Sequence, residues 1–241
     1  VSDRPRILDL FCGAGGAAMG LHRAGFEVVG VDIEPQPHYP FPFLLMDALE
    51  AMDRLLRGEG LTFSNGETLY LADFAAYWAS PPCQRYSAAT RVNRTQDQHP
   101  DLVAAVRGRL APYVYVIENV VGAPLRDPVL LCGVERGLRL GQYVLRRHRL
   151  FESNYPLTAP GCGCHQGDGV TLGVYGGGPT EKARSLHGKN PGGGRPQKAN
   201  RDQARLIMGM PWALRYEINQ AIPPAYSEYI GKQLMKVLEH G

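Results

Sequence analysis

Short apolar runs recur through the first half of the chain, each ended by a turn residue or an acid. Arg6-Ile7-Leu8-Asp9-Leu10-Phe11, Phe26 to Val31, Phe43 to Met46, Phe74 to Trp78 and Tyr113 to Ile117 are of this kind. Runs this short, rich in β-branched and aromatic side chains, predict strands buried on both faces. Between them, Ala17, Met19, Leu21 and Ala24 have helical spacing, as do Ala48 to Leu56 and the stretch near Leu102 to Leu110. Strand and helix in alternation predict an open α/β sheet. Phe63-Ser64-Asn65-Gly66-Glu67-Thr68 carries an Asn-Gly hairpin turn, read as a small surface insert. Leu145 to Phe151 predicts a further strand, and Arg201 to Met208 a helix stopped by Gly209-Met210-Pro211. Pro223-Pro224 opens a last helix to about Leu238, where proline suits the first turn.

The residues just past the strands carry the chemistry, because open α/β sheets bind ligands outside their carboxyl ends. Cys12-Gly13-Ala14-Gly15-Gly16 joins the first strand to the first helix. Glycine there lets backbone N–H groups approach a nucleotide-like cofactor, though the same turn could be a plain tight loop. Asp32 and Asp47 end the second and third strands. The first suits a ribose diol or, alternatively, caps the next turn, and two such acids point to a nucleoside-bearing cofactor rather than a phosphate. After the fourth run, Ser80-Pro81-Pro82-Cys83-Gln84-Arg85-Tyr86-Ser87 puts a cysteine on a stiff turn. Downstream arginines offer it an electropositive setting that favours a thiolate, against the bland reading of a small buried hydrophobe. Glu118 ends the fifth run as an acid or hydrogen-bond partner for substrate, or as a structural carboxylate. In a strand, Arg147 and Arg149 would face the same side, suiting phosphate or a polar heterocycle, or forming a surface ladder.

Composition narrows this further. The 241 residues allow one sizeable domain with a small insert, and 44% hydrophobic content leaves ample core. No apolar run approaches a membrane span, Val1-Ser2-Asp3-Arg4 is no signal peptide, and five cysteines without framework spacing suit a reducing cytoplasm. Residues 1–80 hold 5 Lys+Arg and 11 Asp+Glu, net −6, while residues 81–241 hold 21 and 12, net +9. A basic back half suggests that this part faces a polyanion, unless the asymmetry is chance. From Tyr155 to about Asn200 the chain is rich in Gly and Pro and carries Lys182, Arg184, Lys189, Arg195 and Lys198, as a small recognition module would. Residues 153–200 are read as that segment; 1–152 and 201–241 form the main domain. Cys162-Gly163-Cys164-His165 invites a zinc reading, with His187 or Cys132 as further ligands. It lacks a second ligand pair at normal spacing, so free thiols in a glycine-rich loop are favoured and no metal is expected.

Taken together, these stretches resemble the DNA cytosine-5 methyltransferase family. Asp9 to Gly16 is similar to its cofactor motif, Pro81-Pro82-Cys83-Gln84 to its catalytic motif and Glu118-Asn119-Val120 to its ENV motif. Arg147-His148-Arg149 matches the R-x-R of QxRxR, Ala204-Arg205-Leu206 through Gly209-Met210-Pro211 the motif after the recognition segment, and Ala221-Ile222-Pro223-Pro224 the last. The resemblance implies a Rossmann-like class I fold, S-adenosyl-L-methionine as cofactor and double-stranded DNA as partner. It implies Cys83 as nucleophile, Glu118 on the target ring, and Arg147 and Arg149 bracing the flipped base. Phe11 and Ile33 would lie against adenine, Gly13, Ala14, Gly15 and Gly16 would hold the methionine end, and Asp32 and Asp47 would take ribose and adenine amine. Ala48, Pro81 and Ala221 would line the same pocket. Gln84, Arg85, Ser87, Arg91 and Arg94 would close on DNA, with Lys182, Arg184, Lys189, Arg195 and glycine-rich residues 173–178 and 190–197.

Three departures stand out. Leu145 replaces the usual Gln, Asn219-Gln220 stands where Gly-Asn is usual, and the recognition segment is short, as in bacteriophage-encoded members. A monomer is expected, since no self-complementary apolar stretch is present. Rival readings are an RNA-methylating branch, whose Cys-Phe-Thr signature is absent, an inactive DNA-binding relative, a redox or metal protein, and an enzyme using a modified sulfonium donor.

Overall fold

The computed structural model describes residues 3–87, 94–164, 169–174 and 197–240. In chain order the strands are β1 (Arg6–Leu10), β2 (Glu27–Asp32), β3 (Phe43–Leu45), β4 (Leu61–Thr62), β5 (Thr68–Leu69), β6 (Ala76–Ala79) and β7 (Tyr115–Asn119). They continue as β8 (Val129–Leu131), β9 (Arg139–Leu140), β10 (Tyr143–Val144), β11 (Arg149–Ser153), β12 (Val170–Gly173) and β13 (Gln197–Lys198). The helices are α1 (Gly16–Ala24), α2 (Ala48–Leu56), α3 (Val103–Leu110), α4 (Arg201–Met208), α5 (Arg215–Gln220) and α6 (Pro224–His240).

The central sheet runs β3-β2-β1-β6-β7-β11-β8. Strands β3, β2, β1, β6 and β7 are parallel, and β11 runs antiparallel to both β7 and β8. The strand order reverses at β1, with β2 and β3 on one side and β6 on the other. Such a switch point opens a crevice at the carboxyl ends of β1 and β6. Side chains alternate between two cores with a period of two residues. Leu8, Leu10, Val29, Val31, Tyr77, Ala79, Tyr115 and Ile117 pack with α2 and α3. Ile7, Val28, Trp78, Val116 and Phe151 pack with α1 and α6.

Helices α1 and α6 approach closely because α1 offers glycine at the contact. A Cβ on Gly20 would lie 2.1 Å from both the Pro224 carbonyl oxygen and Ser227 Oγ; one on Gly16 would lie 2.3 Å from the Ile222 carbonyl oxygen. Backbone on the far side cannot yield as a flexible side chain could. Gly20→Ala is therefore expected to lower stability by about 1–3 kcal/mol, read as a fall in the urea midpoint. An unchanged midpoint would show that α6 slides freely over α1.

A smaller sheet, β13-β12-β10-β9, lies against α4 and α5. Its core joins Leu145, Leu172, Val174, Ala199, Ala204, Ile207, Met208, Met210, Ala213 and Ile218 to Ala14 of the glycine turn. Strands β9 and β10 come from before residue 153, so the two sheets share chain. The expected Leu145–Phe151 strand is broken. Tyr143–Val144 belongs to the small sheet and Arg149–Ser153 to the central one, and Arg147 between them has φ +22°. Two-residue alternation therefore does not place Arg147 and Arg149 on one strand face. Leu145, where glutamine is usual in the resembling family, is buried in the small apolar core. No helix among the described residues is long and apolar enough to cross a membrane.

Candidate active site

The Cys83 turn is held from two sides. Ser80 N–H donates to the Leu10 carbonyl at 3.1 Å, and Asn119 Nδ2 donates to the Pro81 carbonyl at 3.0 Å. Two prolines then steer the chain into a one-turn 3-10 helix at Gln84–Tyr86, with Cys83 half-buried at its head. Glu118, on β7, is 6% exposed and paired with Arg149, whose Nε lies 3.0 Å from Oε1. Burial raises the Glu118 carboxyl above its ordinary value, opposed by Arg149, Ser80 and Arg147.

Burial also raises the Cys83 thiol; Arg149 and Arg147 pull it down and Glu118 pushes it up, with a net upward shift. The arginines do favour the thiolate, as their position in sequence suggests, but desolvation outweighs them before substrate is present. Alkylation of Cys83 by iodoacetamide in the free protein is therefore expected to be slow at neutral pH. It should climb about tenfold per pH unit to beyond the ordinary cysteine value of about 8.5. Glu118→Gln removes a raising influence and should speed the reaction at neutral pH. Peptide mass spectrometry reads both, and an early plateau would contradict the burial argument.

Arg147 is half-buried and spends its guanidinium on backbone. Nη1 donates to the Val174 carbonyl at 2.7 Å, Nη2 to those of Asn219 at 2.7 Å and Ala221 at 2.6 Å, and Nε to Ala221 at 3.0 Å. Tyr226 Oη in turn donates to the Arg147 carbonyl at 2.8 Å. This geometry makes Arg147 a clamp on the segment before α6, in place of the base-bracing group the motif suggests. Arg149 alone of the pair reaches Glu118.

On the β1 side, the glycine turn forms a cradle. Gly15 has φ +79° at the head of α1, and Gly13 has φ +48° with nothing within 4 Å of where a Cβ would stand. Gly13 N–H donates to Asp32 Oδ2 at 2.9 Å, and Glu34 N–H to Oδ1 at 3.0 Å. Asp32 thus does the loop-tying job that the bland reading assigned it, at the carboxyl end of β2. Asp47 caps α2, its Oδ1 accepting from Leu49 N–H at 2.9 Å and Glu50 N–H at 3.0 Å, with Ala48 buried behind it. Phe11 is half-buried with φ +59°, and Ile33 is 63% exposed. Open space over Gly13, an uncovered apolar side chain and two carboxylates fit a nucleoside-bearing cofactor. Ala14 is buried, and its carbonyl accepts from Trp212 Nε1 at 2.8 Å. Gly16 is taken up by packing against Ile222 and Ala221.

Among the residues expected to meet DNA, Gln84 is exposed and Ser87 half-buried. Arg85 instead turns inward, donating from Nη1 to the His99 carbonyl at 3.1 Å, with Asp97 at 3.5 Å, so it fastens the loop's return leg. Arg94 is exposed with φ +54°. Arg91, Lys182, Arg184, Lys189, Arg195 and nearly all of both glycine-rich stretches lie outside the described residues, as do His165 and His187. Residue-by-residue reading did not single out Asn119, which fixes the Pro81 carbonyl, or Trp212, which fixes Ala14. Asn119 carried one signal, its place beside Glu118; Trp212 carried none.

A mixed sheet whose parallel strands switch order at β1, with a glycine turn after β1 and a cysteine turn after β6, has the Rossmann-like fold of class I methyltransferases. The profile of the C-5 cytosine-specific DNA methylases matches residues 5–125, and the chain belongs to that family. It is 28% identical over 127 residues to the Type II methyltransferase M.AgeI of Thalassovita gelatinovora, a match covering 48% of this chain and 28% of that protein. The chain thus spans under a third of that relative's length. Two solved structures share the fold. One, described as a DNA modification methyltransferase encoded within an E. coli prophage, has 16% identity and TM-score 0.55, covering 98% of this chain and 99% of that one. The other, S. pombe Dnmt2 methyltransferase, has 14% identity and TM-score 0.55 over the same shares.

Proposed function

We propose that this chain methylates C5 of cytosine in double-stranded DNA, within a short sequence context, using S-adenosyl-L-methionine. The observation that carries the proposal is the placement of Cys83 across one crevice from the glycine cradle, with the Glu118–Arg149 pair acting on its thiol. The cofactor, held by Phe11, Ile33, Asp32, Asp47 and the backbone of Gly13 to Gly15, supplies an electrophilic methyl group when bound. The target base leaves the duplex, because its ring is otherwise sealed within the stack. Cys83 as thiolate bonds to C6, raising electron density at C5. Glu118, its carboxyl biased toward the neutral form by burial, donates to N3 and accepts from the exocyclic amine as charge develops there. Arg149 holds Glu118 in place. Loss of the C5 proton, with the bond to Cys83 breaking, restores the aromatic ring.

Gln84, Ser87, Arg91 and Arg94 are the DNA-facing residues of the loop, and Lys182, Arg184, Lys189 and Arg195 those of the recognition segment. The excess of basic residues after position 80 supports a polyanionic substrate. Bisulfite sequencing of plasmid DNA from cells expressing the chain, beside a Cys83→Ala version, tests the reading. Cytosines protected in one context and lost in the variant are expected. No protection, from folded protein that binds the cofactor, would overturn the DNA assignment; methylated cytosine in RNA would then identify the rival branch. Mass spectrometry of the product base checks that the group added is methyl.

A further inference from the structure

The structure gathers four metal-ligating side chains away from the crevice chemistry. Cys132 follows β8, His148 precedes β11, and Cys162 and Cys164 lie where the chain leaves the central sheet for the recognition segment. Their donor atoms all lie within 4.8 Å of one another. His148 Nε2 is 3.1 Å from Cys162 Sγ and 3.3 Å from Cys164 Sγ, and the two sulfurs are 3.0 Å apart. None of the cysteines is in a disulfide.

We infer that Cys132, His148, Cys162 and Cys164 form a closed structural zinc site. Three sulfurs and one imidazole nitrogen are a common zinc donor set, whereas harder cations prefer oxygen. Tetrahedral bonds of about 2.3 Å to sulfur and 2.0–2.1 Å to nitrogen set donors roughly 3.5–3.8 Å apart. The three observed separations fall a few tenths of an ångström short of that spacing and all four donors lie within 4.8 Å, so small side-chain shifts open the cluster around one ion. The backbone is already bent for it. Gly133 N–H donates to the Arg146 carbonyl at 3.0 Å, and a Cβ on Gly133 would stand 2.2 Å from the Leu145 carbonyl oxygen, so the Cys132 turn needs glycine. Gly163 N–H donates to Glu135 Oε1 at 2.7 Å, tying the Cys-Gly-Cys turn to the same loop. Val134 and Val144 cover the cluster with apolar surface. Cys132 and Cys164 are buried, which leaves no place for water as a fourth ligand among four protein donors and marks the site as structural.

His148 stands between Arg147 and Arg149. A metal there joins the Glu118 partner, the Arg147 clamp and the root of the recognition segment in one rigid knot. The sequence alone groups Cys162 and Cys164 with His165 and offers His187 or Cys132 as further ligands; the fold brings in Cys132 and adds His148, while His165 and His187 lie outside the described residues.

The test is zinc content by plasma mass spectrometry on the full chain, purified in zinc-replete buffer without chelator and then dialysed. About one equivalent per chain is expected, retained by Cys83→Ala and reduced at least tenfold in Cys162→Ser and Cys164→Ser. Replacement by cobalt should give the visible spectrum of a tetrahedral thiolate site in the unsubstituted protein, which keeps the test decisive if the serine variants do not fold. Zinc near zero, zinc unaffected by either serine variant, or a Cys162–Cys164 disulfide in the intact mass would each overturn the assignment.

Discussion

Cys83→Ala is expected to cut methyl transfer by on the order of 10^4-fold or more, since the residue that forms the covalent bond has no stand-in. The fold should survive. The turn is set by Pro81, Pro82 and the bond from Asn119 to the Pro81 carbonyl, none of which involves the Cys83 side chain. Cofactor affinity should change little, because the cradle is built on β1 and β2. Radiolabelled methyl incorporation beside calorimetric titration of the cofactor separates the two effects. Residual turnover above about a hundredth of the parent would mean that attack on C6 does not depend on this thiol. Glu118→Gln should fall between, losing about 10^2–10^3-fold, since one positioned donor to developing charge is worth that much.

Glu152→Ala is expected to be the most destabilising single change away from the crevice. Glu152 Oε1 accepts from Arg107 Nε at 2.6 Å and Tyr115 Oη at 3.0 Å, and Oε2 accepts from Arg107 Nη2 at 2.7 Å and Arg126 N–H at 2.7 Å. Arg107 Nη2 also donates to the Pro124 carbonyl at 2.8 Å. One carboxylate thus joins α3, β7, β11 and the loop that follows Asn119. Its removal strands a largely buried guanidinium, at a cost of about 3–5 kcal/mol, seen in the urea midpoint. Burial pushes the Glu152 carboxyl up, but the bonds from Arg107, Arg126 and Tyr115 outweigh it and the net shift is downward. That contribution is therefore complete above the ordinary glutamate value of about 4.3 and lost as pH falls through the lower folded value. The stability gap between parent and Glu152→Ala should narrow on acidification; a gap constant with pH would show that the pair's charge is immaterial.

Most of the central sheet was legible because burial on both faces writes itself locally, as in Ile7-Leu8 or Val114-Tyr115-Val116-Ile117. The Asn65-Gly66 hairpin and the Gly209 stop were legible because each needs a backbone state that few residues supply. Illegible were features that depend on distant partners. The Arg107–Glu152 pair spans 45 residues and the Trp212–Ala14 bond 198. The break at Arg147 looked like continuous strand because apolar Leu145 and Val144 serve a second sheet that periodicity cannot announce. Asp32 and Asp47 stand at the ends of β2 and β3 as their apolar runs announce, and each ties the turn beside it. Composition could not say which histidine would meet Cys162 and Cys164.

The close fit of α1 to α6 bears on how the protein comes into being on the ribosome. About 200 residues of chain separate Ala24 from Pro224, and α6 is the last described element to be synthesised. Until it emerges, the apolar face formed by Ile7, Val28, Trp78 and Phe151 lacks the cover of Tyr226, Ile230 and Leu234, and Gly20 has no Pro224 or Ser227 to rest against. Folding must therefore wait for a contact of long sequence separation, which is slow. The glycine turn at the head of α1 is completed by the same late packing, through Gly16 against Ile222 and Ala221. A chain cut before Ile222 therefore lacks the packing that fixes the glycine turn at the head of α1.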